Sequence, residues 1–215
     1  MAPGDQTLPL NGAVNDQNGA RPSVRENRSL RVNAGYCSSA GRRSENQDYV
    51  GFCCEGTNSL IGHALAIADG VSFGSGGRIA AELAVRSFID AHQNSNPTAG
   101  LTRTSARALA SFNTWLHSVS ASDERLRHAA TTFTALALQG RDAHVIHVGD
   151  TRAYLLHDEQ LTRLTTDHTI QQPEREHILL RAVGLEPILR MDHCAPCSCG
   201  AGLRLKTQPR LSKLR

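Results

Sequence analysis

The stretch Leu65-Ala66-Ile67-Ala68-Asp69-Gly70-Val71-Ser72 leads an apolar, strand-like segment directly into an Asp-Gly corner. An acid at the end of a buried strand needs a partner or solvent, because an isolated buried charge is costly. Such a corner can place a carboxylate where it meets a metal ion. Taken alone, Asp69 and Gly70 are more simply interpreted as an ordinary turn, since both residue types are frequent in turns. The polar residues at the other strand ends are therefore needed to distinguish an ordinary turn from a metal site.

The composition is typical of one globular domain. The chain has 215 residues, of which 40% are hydrophobic, and this is enough for one core. The net charge of +3 is small and dispersed over 23 basic and 20 acidic residues, so we expect no nucleic-acid partner. A signal-like N-terminus and a run of about 18 apolar residues are both missing from the sequence, which favours a cytoplasmic protein without a membrane partner.

The cysteines form two populations. They are an apolar, strand-like group and a crowded later group, namely Cys37, Cys53 and Cys54, and Cys194, Cys197 and Cys199. A free thiol in the first group behaves as a small hydrophobic side chain. The later group, beside His193, could supply half of a zinc site. A closed tetrahedral site would require unusually tight local ligation there, so a zinc protein is a distant alternative.

Composition divides the chain into three segments. Residues 1–28 are polar and rich in Gly and Pro, and we expect a disordered tail because they cannot bury enough surface to offset the entropy of ordering. Residues 29–193 alternate short apolar runs with turn signals and are expected to form the folded domain. Residues 194–215 are an atypical tail rich in Cys and basic residues, without clear periodicity.

Two helices and seven strands are predicted in the domain. Polar residues recur at every fourth position in Arg78–Asp90, and a second helical pattern places Leu109, Phe112 and Leu116 on one face with Val119. The predicted strands are Leu30–Cys37, Tyr49–Cys54, His63–Ala68, Thr131–Leu138, Ala143–Val148, Ala153–His157 and Leu161–Thr165. Their short connectors favour hairpins and therefore antiparallel pairing, with the helices covering sheet faces. The predicted fold class is α+β.

Polar motifs mark the strand ends in a specific order. They are Arg43-Ser44-Glu45-Asn46-Gln47-Asp48, Asp69-Gly70, Thr131-Thr132, Gly149-Asp150-Thr151-Arg152 and Asp167-His168. Together, across residues 30–190, they resemble the metal-dependent protein serine/threonine phosphatases of type 2C, the PPM family. The resemblance implies a four-layer sandwich of two antiparallel β-sheets flanked by α-helices, incomplete at its C-terminal end.

The resemblance also implies a dinuclear Mg²⁺ or Mn²⁺ site at which a metal-activated water hydrolyses phosphoserine or phosphothreonine. Asp69 would bridge the two ions, the carbonyl of Gly70 would complete one shell, and Asp48 would join them and orient metal-bound water. Arg43 would hold the substrate phosphate through its planar guanidinium. Asp150 would hold a third, auxiliary ion, and the alternative for Asp150 is a simple hairpin-turn residue. The Asp167-His168 motif is expected to shape a loop.

Some positions depart from the family pattern. Gln47 stands where many relatives carry Glu, and Val71 stands where eukaryotic relatives often place a His. Two later metal-binding aspartates of the family have no counterpart after Asp192, and Gln208-Pro209 takes the place of one of them. We therefore expect a truncated or frameshifted phosphatase, with a degenerate relative as the alternative.

The implied partner is a phosphorylated protein substrate. The sequence Asp69-Gly70-Val71-Ser72 is similar to that of bacterial members of the family in which the phosphatase is joined to a kinase domain. The resemblance therefore adds a cognate serine/threonine kinase system as an expected partner. The alternative function is a binding module. In that case a pseudophosphatase would keep the Arg43 pocket and recognise a phosphoprotein without turnover.

Overall fold

A computed structural model describes most of the predicted domain. The described residues are 32–53, 61–71, 76–96, 101–139, 142–170, 172, 178–198 and 202–206. The predicted tail 1–28 lies outside them, as do Cys54 and Cys199. The α-helices and strands within the described residues are β1 (Asp48–Cys53), β2 (His63–Val71), α1 (Gly76–Gln93), α2 (Leu101–Val119), β3 (Ala130–Thr131), β4 (Phe133–Gln139), β5 (Asp142–Val148), β6 (Arg152–His157), β7 (Gln160–Arg163), β8 (Asp192–Ser198) and β9 (Gly202–Lys206), and a short 3-10 helix covers Glu124–Leu126.

The strands form two antiparallel sheets. The larger sheet has the order β1-β2-β4-β5-β8, with the short β3 beside the end of β2, and the smaller sheet has the order β7-β6-β9. The predicted α+β class with antiparallel sheets is confirmed. None of the described helices combines the length and apolarity needed to cross a bilayer.

The helices pack on one face of the larger sheet. In β2, small alanines alternate with larger apolar residues, so that one face of the strand carries only small side chains. Ala64, Ala66 and Ala68 are fully buried on the helix side, where α1 packs over β1 and β2. Small side chains let α1 approach the sheet closely. The rings of Phe88 on α1 and Phe133 on β4 meet with their centroids 5.3 Å apart and fill the centre of this core.

A second core lies between the two sheets. It contains the residues of β4, β5 and β6 that alternate with the helix-facing ones, namely Leu136, Leu138, Ala143, Val145 and Ala153. The order of layers is therefore helices, larger sheet and smaller sheet. A helical layer on the outer face of the smaller sheet is not present among the residues that the structure describes.

One predicted strand is wrong in its described part. Residues 32–37 of the predicted strand Leu30–Cys37 form no strand, and Cys37 is exposed instead of lying in apolar surroundings. Asn33 and Gly35 interrupt the apolar pattern, and both residue types are depleted in strands. By contrast Cys53 is buried at the end of β1, as expected for a small hydrophobic thiol.

Two strands in the later part of the chain were not predicted. β8 pairs with β5 and spans the predicted boundary at residues 193–194, and β9 pairs with β6. Pro196 and the irregular register between Ala143 and Val145 are typical of an edge strand. The sequence Asp192–Ser198 also lacks the alternation of apolar and polar residues by which a strand is recognised, whereas the alternation in β9 covers only residues 203–206.

Candidate active site

Four strand ends meet at one edge of the larger sheet. Because neighbouring strands run antiparallel, the starts of β1 and β4 lie at the same edge as the ends of β2 and β5. The predicted motifs lie at these ends. The structure therefore brings Asp48, Asp69-Gly70, Thr131-Thr132 and Gly149-Asp150 to one edge.

Asp48 and Asp69 are directly opposite each other in the pairing of β1 with β2. Directly opposed residues of an antiparallel pair project to the same side of the sheet, with Cβ atoms about 4.5–5.5 Å apart. Asp69 is only 3% exposed and Asp48 is half-buried. Two carboxylates placed so closely repel each other unless a cation or a proton offsets their charge. Carboxylate and carbonyl oxygens are the ligands that Mg²⁺ and Mn²⁺ prefer, so the pair fits a hard divalent cation.

The two threonines before β4 fix the backbone of Asp69. The Asp69 N–H donates to Thr132 Oγ1 at 3.0 Å, while the Thr131 hydroxyl and the Thr132 N–H donate to the Asp69 carbonyl at 3.1 and 3.0 Å. Thr131 and Thr132 are fully buried. The carboxylate of Asp69 therefore projects from a backbone held by a neighbouring strand.

Gly70 lies where β2 passes the first turn of α1. Its N–H donates to the Gln47 carbonyl at 3.0 Å. A Cβ atom added at Gly70 would lie 2.2 Å from the carbonyl oxygen of Gly77, closer than any side chain can approach. Only glycine fits between the entry to β1 and the helix, which explains the Asp-Gly pair by packing as well as by chemistry.

The loop that carries Asp150 packs against the same corner. Gly149 has a φ of +106°, and a Cβ atom added there would lie 2.6 Å from Thr132 Cβ. Since Thr132 binds the backbone of Asp69, this contact joins the backbone of the loop that carries the half-buried Asp150 to the strand end that carries Asp69. Over the described ranges, no three His, Cys, Asp or Glu side chains cluster as ligands for one metal ion. The carboxylate pair is therefore the core of the candidate site, and the zinc alternative finds no ligand cluster in the same residues.

Arg43 lies in the exposed loop that leads into β1. A turn in this loop is closed by the Arg43 N–H, which donates to the Ala40 carbonyl at 3.1 Å. Asn46 fixes the end of the loop, because its Oδ1 accepts from the Asp48 N–H at 3.0 Å and its Nδ2 donates to Ser38 Oγ at 2.8 Å. The loop thus presents an arginine to solvent five residues before Asp48, at the same sheet edge.

The family follows from comparison with known proteins. A family model described as Protein phosphatase 2C matches residues 38–178, which is more than half of the chain. The chain belongs to the protein phosphatase 2C family. The matched residues include every strand end of the candidate site.

Named bacterial enzymes are among the relatives of this protein phosphatase 2C chain. It is 30% identical over 146 residues to the serine/threonine protein phosphatase PstP of Mycobacterium tuberculosis, covering 59% of this chain and 28% of PstP. It is 29% identical over 188 residues to the serine/threonine phosphatase stp of Listeria monocytogenes, covering 75% of this chain and 70% of that protein. The chain thus spans little more than a quarter of the length of PstP.

Solved structures confirm the protein phosphatase 2C fold. The catalytic domain of PstP in complex with two manganese ions aligns with a TM-score of 0.57 and 26% identity, over 71% of this chain and 67% of that one. Stp1 from Staphylococcus aureus aligns with a TM-score of 0.63 and 18% identity, over 79% and 69% of the respective chains. The second likeness concerns the fold alone.

A network of two histidines is linked to Gly149 by a hydrogen bond from the Gly149 N–H to His168 Nδ1, and it was not predicted from the sequence. The rings of His147 and His168 stack with centroids 4.8 Å apart, and both are buried. Thr134 donates to His147 Nδ1 at 2.9 Å, and His147 Nε2 donates to the Thr166 carbonyl at 3.0 Å. The network borders a cleft of about 340 Å³ that neither Asp48 nor Asp69 lines.

The Asp167-His168 motif joins this network to the smaller sheet. The Asp167 carboxylate binds Arg152 at 2.5 Å and also pairs with Arg163, so it links the two strands β6 and β7. This hydrogen bond raises the pKa of Arg152. Such a position agrees with the loop-shaping role expected for the motif.

Acid is expected to destabilise this phosphatase 2C domain through His147. Burial, and then repulsion by His168, lower the pKa of His147 from 6.5 to about 4. The unfolded chain therefore binds a proton at higher pH than the folded one, and stability falls as the pH drops from about 6.5 to about 4. The expected loss is about 3 kcal/mol in the free energy of unfolding.

Urea unfolding at pH 7, 5.5 and 4 measures this effect. The variant His147→Gln should show a distinctly flatter dependence on pH than the wild type, because the buried titrating ring is gone. His157→Gln, at an exposed histidine, is the matched control and should retain the wild-type dependence. Parallel pH dependences for wild type and His147→Gln would contradict the assignment to His147.

Proposed function

We propose that this chain is a metal-dependent protein serine/threonine phosphatase that hydrolyses phosphoserine and phosphothreonine in proteins. The observation that carries the proposal is the direct opposition of Asp48 and Asp69 at the edge where the other motifs meet. Membership of the protein phosphatase 2C family, and relatives named as serine/threonine phosphatases, support it. The two manganese ions in the PstP catalytic domain support Mg²⁺ or Mn²⁺ as cofactor.

Asp48, Asp69 and the Gly70 carbonyl are the groups proposed to hold the ions. Bound ions of this type supply a water of lowered pKa and offset negative charge on phosphate oxygens. The role of Asp69 is to contribute a carboxylate from a backbone that Thr131 and Thr132 hold in place. Asp48 contributes the opposing carboxylate, which orients the attacking water.

Two further residues complete the proposal. The Arg43 guanidinium, exposed in the loop that leads into β1, is proposed to bind the substrate phosphate through two parallel N–H donors. Asp150 is proposed to hold an auxiliary ion next to the carboxylate pair. The partner is a phosphorylated protein. A cognate kinase and a cytoplasmic location stay predictions.

A second candidate function has its own observation. The described residues supply two opposed carboxylates without a third ligand of the same cluster. A site of this kind is consistent with a pseudophosphatase that holds one ion weakly. Such a protein would bind phosphoprotein through Arg43 without hydrolysing it.

Release of phosphate from a phosphothreonine peptide separates the two candidates. With MnCl₂ we expect hydrolysis by the purified, folded chain, and with excess EDTA we expect none. A folded chain that binds the phosphopeptide without releasing phosphate would favour the pseudophosphatase. Hydrolysis at the same rate in EDTA would contradict the metal-dependent proposal.

Replacing Arg43 tests the proposed phosphate contact. Arg43→Ala is expected to raise the KM for the phosphothreonine peptide about 10- to 100-fold, because a charge-assisted hydrogen bond contributes about 1.5–3 kcal/mol. Arg42→Ala removes the adjacent exposed arginine and is the matched control, with an expected KM close to that of the wild type. Equal KM values in Arg43→Ala and Arg42→Ala would remove Arg43 from the site.

A further inference from the structure

We propose that His168 is a positioning residue that holds the loop carrying Asp150 in place by binding both backbone groups of Gly149. The inference rests on the proposed function, since it assigns the loop to the same site. It concerns a contact within the chain, between the segment after β7 and the turn between β5 and β6. The hydrogen bonds of the imidazole ring carry the argument.

Both ring nitrogens of His168 are used, and their partners determine the tautomer. The Gly149 N–H donates to Nδ1 at 3.1 Å, so Nδ1 carries no proton. The proton is therefore on Nε2, which donates to Asp192 Oδ2 at 3.0 Å. A backbone bond from the His168 N–H to the Gly149 carbonyl, at 2.8 Å, completes the contact. One residue thus binds the donor and the acceptor of Gly149.

Asp192 orients the ring from the other side. Its second oxygen accepts from Arg181 Nη1 at 3.1 Å, so the carboxylate is held by two partners. The hydrogen bond from His168 also lowers the pKa of Asp192. A carboxylate that accepts from one imidazole nitrogen fixes the tautomer and orientation in which the other nitrogen acts.

The position of Gly149 affects two parts of the candidate site. Asp150 follows it directly, and Thr132, against which Gly149 packs, binds the backbone of Asp69. A shift of Gly149 would therefore move the Asp150 loop and disturb the support of Asp69. His168 is only 8% exposed and both its nitrogens are bound inside the protein, so it does not act on substrate itself.

Two substitutions distinguish the roles of the two ring nitrogens of His168. His168→Asn places an amide oxygen near the position of Nδ1, whereas the longer side chain of His168→Gln places its amide near the position of Nε2. The first variant keeps an acceptor for the Gly149 N–H, and the second keeps only a partner for Asp192. His157→Gln, at an exposed histidine, is the control.

Amide hydrogen exchange of the metal-free protein gives a readout that does not depend on activity. We expect the Gly149 amide to be protected in the wild type and in His168→Asn, and to exchange at least about tenfold faster in His168→Gln. Circular dichroism shows whether each variant is folded. Equal protection of Gly149 in the wild type and both folded variants would overturn the inference.

Manganese-dependent phosphate release then tests the consequence for the site. We expect kcat of His168→Gln to fall about 10- to 100-fold with KM little changed, and His168→Asn to retain most activity, as for other residues that orient a site through a neighbour. An unchanged kcat in His168→Gln would overturn the positioning role. A wild type that is inactive while Gly149 shows the expected exchange pattern would count against the proposed function and leave the His168 contact supported.

Discussion

Replacement of Asp69 by Asn is expected to lower metal-dependent phosphate release by about 10³-fold or more, since it removes a charge on which activation of water and offsetting of phosphate charge depend. The amide is nearly isosteric with the carboxylate, so the bonds from Thr131 and Thr132 to the Asp69 backbone can persist. The loss should therefore appear in kcat without unfolding. Rates with the phosphothreonine peptide, at saturating MnCl₂, measure it.

Asp142→Asn is the matched control for this prediction. Asp142 is an exposed carboxylate at the opposite end of β5 from Asp150, and the same change of charge there should leave kcat close to the wild-type value. A folded Asp69→Asn variant with near-wild-type, manganese-dependent activity would show that Asp69 is not part of the site.

The variant Gly70→Ala is expected to lose about 3 kcal/mol or more of unfolding free energy, or to fail to fold, because steric overlap with backbone cannot relax as a side chain would. The added methyl group would lie 2.2 Å from the Gly77 carbonyl oxygen and 2.3 Å from its carbon. Relief of that overlap requires β2 and α1 to separate, which breaks the helix-side core. Urea unfolding followed by circular dichroism measures the loss.

Gly35→Ala provides the control for the Gly70 variant. A Cβ atom at Gly35 meets no other atom within 4 Å, so the substitution should leave the unfolding midpoint unchanged or raise it slightly. Equal midpoints for Gly70→Ala and Gly35→Ala would contradict the close packing of β2 against the start of α1.

The periodic spacing of apolar residues predicted the helices and strands that bury one face against another element of the fold. Both helices and six of the predicted strands recur in the structure, because an element with one buried face must repeat its apolar residues at a fixed spacing. The ends of these elements differ by a few residues. For example, the helix predicted as Arg78–Asp90 extends over Gly76–Gln93, since glycines and terminal polar residues carry no periodic signal.

The missed elements depend on partners distant in the sequence. β8 and β9 pair with β5 and β6, and β8 shows no strand pattern of its own, whereas β9 contains only the short alternation Leu203-Arg204-Leu205-Lys206. The same holds for the contact of His168 with Asp192, which joins residues 24 positions apart. The spacing of these residues along the chain contains no information on such a contact.

The candidate site was predicted as a set of residues but not as a geometry. The motifs identified Asp48 and Asp69, while their direct opposition depends on the register of β1 with β2. Residues 54–62 connect the two strands, and a connection of this length does not fix the register as a two-residue hairpin turn would. The packing role of Gly70 and the support from Thr132 likewise appear only in three dimensions.

Asp48 and Asp69 are proposed to hold a divalent cation together. Isothermal titration of the metal-free, folded chain with MnCl₂ measures this binding. We expect saturable binding that Asp48→Asn and Asp69→Asn each weaken about 100-fold or more, through loss of a charged ligand, and that Asp142→Asn leaves unchanged. Binding of equal strength in all four proteins, or no binding by the folded wild type, would contradict the claim.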